Sequence, residues 1–125
     1  MINPAKSKED LDLSYLKEMS GDSAEFMIEM LDTLVEQIPM YLDDLQRAVD
    51  AKEWKAVSEF AHKVKPTFYY VGREDIRDYM QVIERNAKEE VNVAIIPDAM
   101  KEIKQELEII LAQVAKSRVE LETQL

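Results

Sequence analysis

Apolar residues recur every three or four positions along most of the chain, which is the spacing of one face of an α-helix. The longest of these stripes continues for about seven helical turns and predicts a single long helix. Asp22 and Glu25 precede the stripe and predict an acidic cap for this helix. Pro39 predicts a kink rather than an end, because the stripe continues beyond it. The stripe consists of Phe26, Met27, Met30, Leu31, Leu34, Val35, Ile38, Leu42, Leu45 and Val49.

Four shorter stripes predict the remaining helices. A brief helix comes first and ends at Gly21, since a left-handed residue stops a helix. A third helix starts within residues 50–53 and is closed by Gly72, and a fourth starts near Arg73. Pro97 fits the first turn of the last helix. In chain order, the apolar positions are Leu13, Leu16 and Met19; Trp54, Val57, Phe60, Ala61, Val64 and Phe68; Ile76, Tyr79, Met80 and Ile83; and Met100, Ile103, Leu107, Ile110, Leu111 and Val114.

These stripes predict an all-α protein. No stretch alternates with period two for long enough to form a sheet, and residues 88–96 are too isolated to find strand partners, so we interpret them as a connector. Helices with one apolar stripe each bury it by packing together, which predicts an antiparallel four-helix bundle with the short first helix as a cap. Residues 1–10 are mostly polar and predict a flexible N-terminal arm, which leaves residues 11–125 as the bundle domain.

Composition and charge narrow the class of partner. The 125 residues suit one domain, and 16 Lys and Arg against 26 Asp and Glu give a net charge of -10. This charge argues against binding nucleic acid or an anionic membrane surface. No apolar run approaches the roughly 18 residues that cross a bilayer. The absence of cysteine removes disulfides and thiolate metal sites. We expect a soluble, cytoplasmic monomer.

The chain has one histidine, His62, which excludes chemistry that needs two imidazoles in one chain. At about 100° per residue, the centre of the apolar arc of the third helix lies roughly 140° from His62. The ring is therefore predicted to face water. The residues that share its direction are Lys55, Ser58, Glu59, Lys65, Pro66 and Tyr69.

The surroundings of this histidine are basic within an acidic protein. Residues 51–66 contain four Lys against two Glu, a local net charge of +2. A positive patch suits an anion carried on the ring, or an acidic pocket on a partner. A solvated helix face explains the same composition, so the patch alone does not decide between them.

The segment 62–72 resembles the signature of histidine-containing phosphotransfer (HPt) domains. In that family the phosphoacceptor histidine is followed by an aliphatic residue at the second position, lysine at the third and glycine at the tenth. Residues 12–16 and 83–84 also look like family landmarks. The resemblance spans roughly residues 12–120 and implies a stand-alone domain. The signature positions are occupied by His62, Val64, Lys65 and Gly72.

The resemblance implies a phosphoryl carrier with no catalysis of its own. His62 would accept a phosphoryl group from the phosphoaspartate of a response-regulator receiver domain and pass it to another receiver, since neutral imidazole is a nucleophile near pH 7. Lys65, one turn away, would hold a phosphoryl oxygen as a point charge. Gly72 is interpreted as structural. The residues expected to dock the partner are Lys55, Ser58, Glu59, Lys63, Pro66 and Tyr69.

The same resemblance implies partners that supply what this chain lacks. It has no glycine-rich phosphate loop and no cluster dedicated to Mg²⁺ or ATP. We therefore expect no cofactor here and Mg²⁺ in the receiver domain, with a hybrid sensor kinase as a further partner. Pro66 departs from the family, where glycine is common, and Phe68 stands where a small residue is common. Because proline lacks an amide hydrogen, we expect a loosened turn below His62.

Two other kinds of chemistry match only part of this pattern. Glu59 and His62 have the Glu-x-x-His spacing of di-iron bundles, but such sites need a second motif and inward-facing ligands. Ser58 lies one turn from His62 without the loop that acyl transfer requires. The acids within residues 84–90 are interpreted as a solvated helix face. The remaining alternative is an interaction module that binds a receiver domain without carrying phosphate.

Overall fold

The fold is entirely helical, which confirms the predicted class. The computed structural model describes residues 1–125 and contains no β-strand. No helix combines the length and the apolar character that a membrane crossing requires. The elements are α1 (Pro4–Lys8), α2 (Ser14–Ser20), α3 (Ala24–Asp50), α4 (Trp54–Tyr70), α5 (Glu74–Glu89), a 3-10 helix (Val93–Ile95) and α6 (Ile96–Glu122).

Helices α3 to α6 form the predicted antiparallel bundle. Helix α4 packs between α3 and α5, and α6 closes the bundle against α3 and, less extensively, against α5. Helix α2 packs on α3 as the predicted cap, with Leu16 fully buried. The 28 buried hydrophobic residues form one continuous core, which draws on every helix from α2 to α6. Each apolar stripe therefore finds its partner in the neighbouring helices.

The apolar stripe of α3 is wider than the surface that the bundle covers. The buried positions follow the narrow seam of alternating three- and four-residue steps that runs through Met27, Leu31, Leu34 and Ile38. Residues at its edge remain outside the core, although the sequence pattern assigned them to the stripe. The exposed apolar residues of the predicted stripes are Met19, Phe26 and Val35.

Two residues, Ser23 and Gly72, determine where α3 begins and where α4 ends. Ser23, rather than the predicted Asp22, caps α3: its hydroxyl oxygen accepts a hydrogen bond from the Phe26 amide at 3.2 Å. The prediction was wrong because Asp22 has a φ of 66° and lies outside the helix. Gly72 follows α4 with a φ of 76°, and a Cβ there would lie 2.3 Å from the Asp12 carbonyl oxygen. Its structural role is therefore a close approach as well as a turn.

The N-terminal segment differs from the expected flexible arm. Residues 4–8 form α1, and Asn3 caps it by accepting from the Ala5 amide. The Gln113 amide of α6 donates to the carbonyl oxygens of Lys6 (3.1 Å) and Glu9 (2.6 Å). These backbone groups would otherwise need water, since five residues make too short a helix to stand alone. The partner is more than a hundred positions away in sequence, so the local pattern carried no sign of it.

A buried charged cluster joins this segment to the bundle. We call Arg73, Asp75 and Glu106 the core ion cluster. Arg73 is only 1% exposed; its Nε and Nη2 donate to the two Asp75 oxygens at 3.0 Å, and Nη2 donates to Glu106 at 2.8 Å. The Asn3 amide donates to Asp75 at 2.8 Å, and the Ser7 hydroxyl donates to Glu106. Burial raises the pKa of Asp75, but the bonds from Arg73 and Asn3 outweigh it and leave this pKa below its ordinary value.

Candidate functional site

His62 lies on the outer face of α4, as the sequence predicts. The opposite face of α4 buries Val57, Ala61, Val64 and Phe68 in the core. The side chain of His62 is 71% exposed. The helical count therefore gave the right direction for the ring, and a second protein can reach it without moving the backbone.

A carboxylate from the next helix orients the ring. Glu84 Oε2 lies 3.1 Å from Nδ1 of His62. A carboxylate only accepts hydrogen bonds, so the neutral ring places its proton on Nδ1. The lone pair is then on Nε2, at the opposite edge of the imidazole. The prediction of Glu84 as part of a solvated face was wrong, because its side chain is only 18% exposed and lies between α4 and α5.

The same carboxylate holds Lys65. The Nζ of Lys65 donates to Glu84 Oε1 at 2.9 Å and to Gln81 Oε1 at 2.5 Å. The Lys65 side chain is 19% exposed, far less than that of His62 one turn before it. We call His62, Lys65, Gln81 and Glu84 the surface histidine cluster. The positive charge of Lys65 is matched by the negative charge of Glu84. The surroundings of the His62 ring are therefore less positive than the local net charge of +2 in the sequence suggested.

Sequence reasoning missed Gln81 and Glu84 as site residues. Their three-residue spacing places them on one face of α5, and that spacing was a signal. The neighbouring Ile83 points into the core. From this the sequence indicates only that the Glu84 side chain does not point into the core. That it points at α4 depends on how α4 and α5 pack, which is a tertiary property.

The other predicted docking residues fall on two sides of His62. Lys55, Ser58 and Glu59 line a groove of about 1000 Å³ together with His62 and Glu84. We call it the α4–α5 groove. Lys52, Trp54 and Lys88 extend it toward the end of α5.

Lys63 and Tyr69 lie away from this groove. The Lys63 ammonium is 4.8 Å from the ring centroid of Tyr41 on α3, a cation–π distance. Tyr69 packs edge-to-face on Tyr15 of α2 at 4.9 Å, and the Arg77 guanidinium lies 5.0 Å from its ring centroid. Both residues therefore have partners within this chain. Lys63 remains exposed, and Tyr69 is half-buried.

Pro66 is exposed in the turn after His62, within an α4 that runs unbroken from Trp54 to Tyr70. The expected loss of the amide donor does not end the helix. Because proline has no amide hydrogen, the His62 carbonyl lacks the usual intrahelical donor. Phe68, two residues later and unusual by the family pattern, is fully buried in the core.

An apolar groove lies further along the same helix. Phe26 and Met30 of α3 meet Tyr70 at its walls. Tyr70 is eight residues after His62, which is roughly 12 Å along the helix axis. The sequence pattern had counted Phe26 and Met30 as core, whereas Phe26 is exposed and Met30 only partly buried.

The chain contains no group of three or more His, Asp or Glu side chains arranged to hold a metal ion. The hydrogen-bond partner of the His62 ring is Glu84 rather than Ser58 or Glu59. The site consequently offers a nucleophilic nitrogen, a nearby ammonium and an orienting carboxylate. This set matches an acceptor for an electrophilic group such as phosphoryl.

A family comparison agrees with this chemistry. The family model described as "Hpt domain" matches residues 29–115. The matched region contains α4 and α5 and with them the whole surface histidine cluster.

One curated relative matches the chain at low sequence identity. The chain is 26% identical over 102 residues to the phosphorelay intermediate protein rdeA of Dictyostelium discoideum, covering 79% of this chain and 40% of that one. It thus spans less than half the length of that curated relative.

Two solved structures share the fold. Histidine-containing phosphotransfer protein B (HptB) of Pseudomonas aeruginosa PAO1 aligns with a TM-score of 0.77 at 23% identity, covering 89% of this chain and 96% of that one. The HPT domain of an Hpt sensor hybrid histidine kinase from Shewanella aligns with a TM-score of 0.72 at 19% identity, covering 88% and 94%.

Proposed function

Since this chain belongs to the Hpt domain family, we propose that it is a phosphoryl carrier of a two-component phosphorelay. His62 accepts a phosphoryl group from the phosphoaspartate of one receiver domain and gives it to the aspartate of another. The observation that carries this proposal is the exposed ring whose Nδ1 faces Glu84 at 3.1 Å, because this leaves Nε2 free toward solvent.

The transfer needs no proton to enter or leave the ring. The Nε2 lone pair attacks phosphorus, the N–P bond forms, and the aspartyl O–P bond breaks with its electron pair going to the carboxylate. The ring becomes a phosphoimidazolium that keeps its hydrogen on Nδ1 and donates a hydrogen bond from there to the Glu84 carboxylate. The return step reverses these changes, with a second aspartate as the nucleophile. Phosphoryl transfer of this type depends on positioning and charge stabilisation.

Lys65 supplies charge to this step. Its ammonium lies one turn from His62 and acts as a point charge for phosphoryl oxygens. In the resting protein Glu84 and Gln81 hold it near the ring. A phosphoryl group on Nε2 then competes with Glu84 for the same ammonium.

The remaining parts of the active site come from the partner. This chain offers no acid cluster for Mg²⁺, so we assign the metal ion and the acidic pocket to the receiver domain. The chain itself binds no cofactor in this proposal and has no catalysis of its own. It acts as a monomer, and a hybrid sensor kinase that carries a receiver domain is a further partner.

We assign the docking surface to both sides of the ring. Lys55, Ser58 and Glu59 meet the receiver along the α4–α5 groove. Lys63, Pro66 and Tyr69 meet it on the other side, where the apolar groove between α3 and α4 adds contact area. An acidic receiver pocket is attracted by the local lysines even though the whole chain is acidic.

The test is incubation of the chain with a phosphorylated receiver domain, followed by separation of the two proteins. The wild type should take up label that is stable to alkali and labile to acid. His62→Gln should take up none, with helicity and thermal unfolding unchanged because the side chain is exposed. Label on the His62→Gln protein would contradict the assignment. Tight receiver binding without any label on the wild type would favour the alternative, an interaction module that carries no phosphate.

A further inference from the structure

We propose that Glu84 sets the lifetime of the phosphorylated histidine. Its carboxylate stabilises the phosphoimidazolium and competes for Lys65, so the N–P bond is kept labile and ready for onward transfer. This inference rests on the proposed function, because it concerns the same histidine. It assigns to one α5 residue the balance between storing a phosphoryl group and passing it on.

The geometry puts both effects on one side chain. Glu84 uses a separate oxygen for each partner: Oε2 faces Nδ1 of His62 at 3.1 Å and Oε1 accepts from Lys65 at 2.9 Å. Its side chain is 18% exposed, so its carboxylate is screened less than the fully solvated acids of α5. No other acid of the chain contacts either group.

The first effect concerns the leaving group. When water or a receiver aspartate attacks phosphorus, the new O–P bond forms, the N–P bond breaks and its electron pair returns to Nε2. A ring that carries hydrogen on Nδ1 then departs as neutral imidazole, whereas a ring without that hydrogen departs as an imidazolate, a poor leaving group. A carboxylate acceptor favours the protonated ring more than a neutral acceptor does, because the bond joins opposite charges. Glu84 therefore increases the reactive fraction of the phosphorylated ring.

The second effect concerns Lys65. A phosphoryl oxygen bound to the ammonium is stabilised in the ground state, which lengthens the life of the N–P bond. Glu84 and Gln81 bind the same ammonium in the resting protein. As long as the Glu84 carboxylate still binds the Lys65 ammonium, that ammonium stabilises the phosphoryl group less. Both effects act in the same direction, toward a shorter lifetime.

The experiment compares Glu84→Gln with Glu89→Gln. Glutamine keeps the size of Glu84 and an oxygen that can accept from Nδ1, while it removes the charge. Glu89 lies at the end of the same helix, is exposed and forms no ion pair, so it controls for the loss of one negative charge. Each protein is phosphorylated on His62 with phosphoramidate, a small P–N donor, freed of reagent and followed by ³¹P NMR without any receiver domain.

The expected result is a phosphohistidine lifetime at least threefold longer in Glu84→Gln than in the wild type, which is the size of a partly exposed charge interaction. Glu89→Gln should match the wild type. An equal or shorter lifetime in Glu84→Gln would overturn the inference while leaving the carrier function intact. Failure of Glu84→Gln alone to take up phosphoryl would also overturn it, since Glu84 would then act in capture. A wild type without label on His62 would instead contradict the proposed function and, with it, this inference.

Discussion

Two charged clusters lie along α5, one beneath the surface and one at it. The core ion cluster at the start of the helix has one cation, Arg73, between two carboxylates, and its guanidinium is 1% exposed. The surface histidine cluster, in the second half of the helix, has one carboxylate, Glu84, between an ammonium and an imidazole that is 71% exposed. The contact distances are similar, from 2.8 to 3.0 Å for the ion pairs and 3.1 Å for the hydrogen bond between His62 and Glu84.

The difference in depth gives these clusters different roles. Removing water strengthens each interaction and makes an unpaired member costly, so the core ion cluster holds α1, α5 and α6 in one arrangement. At the surface, water replaces a lost partner, so the members of the surface histidine cluster are free to exchange partners. The proposed carrier function requires exchangeable partners around the nucleophile and fixed partners within the scaffold.

The largest effect is expected from breaking the core ion cluster. Arg73→Ala leaves Asp75 and Glu106 buried without their cation, and loss of one member of a buried pair typically costs about 3–5 kcal/mol. Urea unfolding should show this loss in the free energy of unfolding. Arg77→Ala, one turn later and paired with the exposed Asp78, is the matched control and should cost about 1 kcal/mol or less. Equal losses of unfolding free energy in the two variants would contradict the claim that the buried cluster stabilises the fold more than an exposed ion pair does.

The loss of folding stability at acid pH should depend on Asp75. Because the folded pKa of Asp75 is below its ordinary value, the unfolded chain binds its proton at a higher pH than the folded chain does. The stabilisation is therefore complete above about pH 5 and is lost as the pH falls below about 4, through the folded pKa. Asp75→Asn should be less stable at pH 7 and show a shallower loss between pH 5 and pH 2. Unfolding measured across this range checks the slope, and parallel curves would contradict the prediction.

The smallest stability effect is expected at the surface histidine cluster. Lys65→Ala removes an ion pair at a partly exposed position, which is worth about 1 kcal/mol or less. The same variant should slow phosphoryl uptake from a phosphorylated receiver several-fold, because a positive charge near the transferring group is lost. Rapid-quench labelling measures the uptake and urea unfolding the stability. An unchanged rate would remove Lys65 from the site, and a loss above about 3 kcal/mol would place it in the scaffold instead.

Much of the site was accessible from periodicity because it lies on a single helix. The outward direction of His62 and the inward direction of Val64 and Phe68 follow from the turn angle of α4 alone. Gly72 was recognisable as a helix end, although its close approach to Asp12 was not. Residues within one turn of a known position share its geometry, so the local sequence is enough to place them.

Contacts between helices were not accessible in this way. Glu84 was assigned to solvent, and Phe26 to the core, because a stripe pattern tells which face of a helix is apolar but not how much of that face a neighbour covers. The N-terminal segment was expected to be flexible because its own polarity gives no reason to fold. It is helical because Gln113, Asp75 and Glu106 satisfy its polar groups from elsewhere in the chain.

The sequence by itself determined that this chain is a helical bundle, where its long helices run, and that one imidazole faces outward. These properties depend on backbone geometry and the burial of apolar surface, both of which repeat along the chain with a fixed period. Only the tertiary structure decided which charged and polar side chains meet: Glu84 with His62 and Lys65, and Arg73 with Asp75 and Glu106. A charged pair is defined by a distance of a few ångströms between side chains, and helix packing sets that distance, not the spacing of residues in sequence.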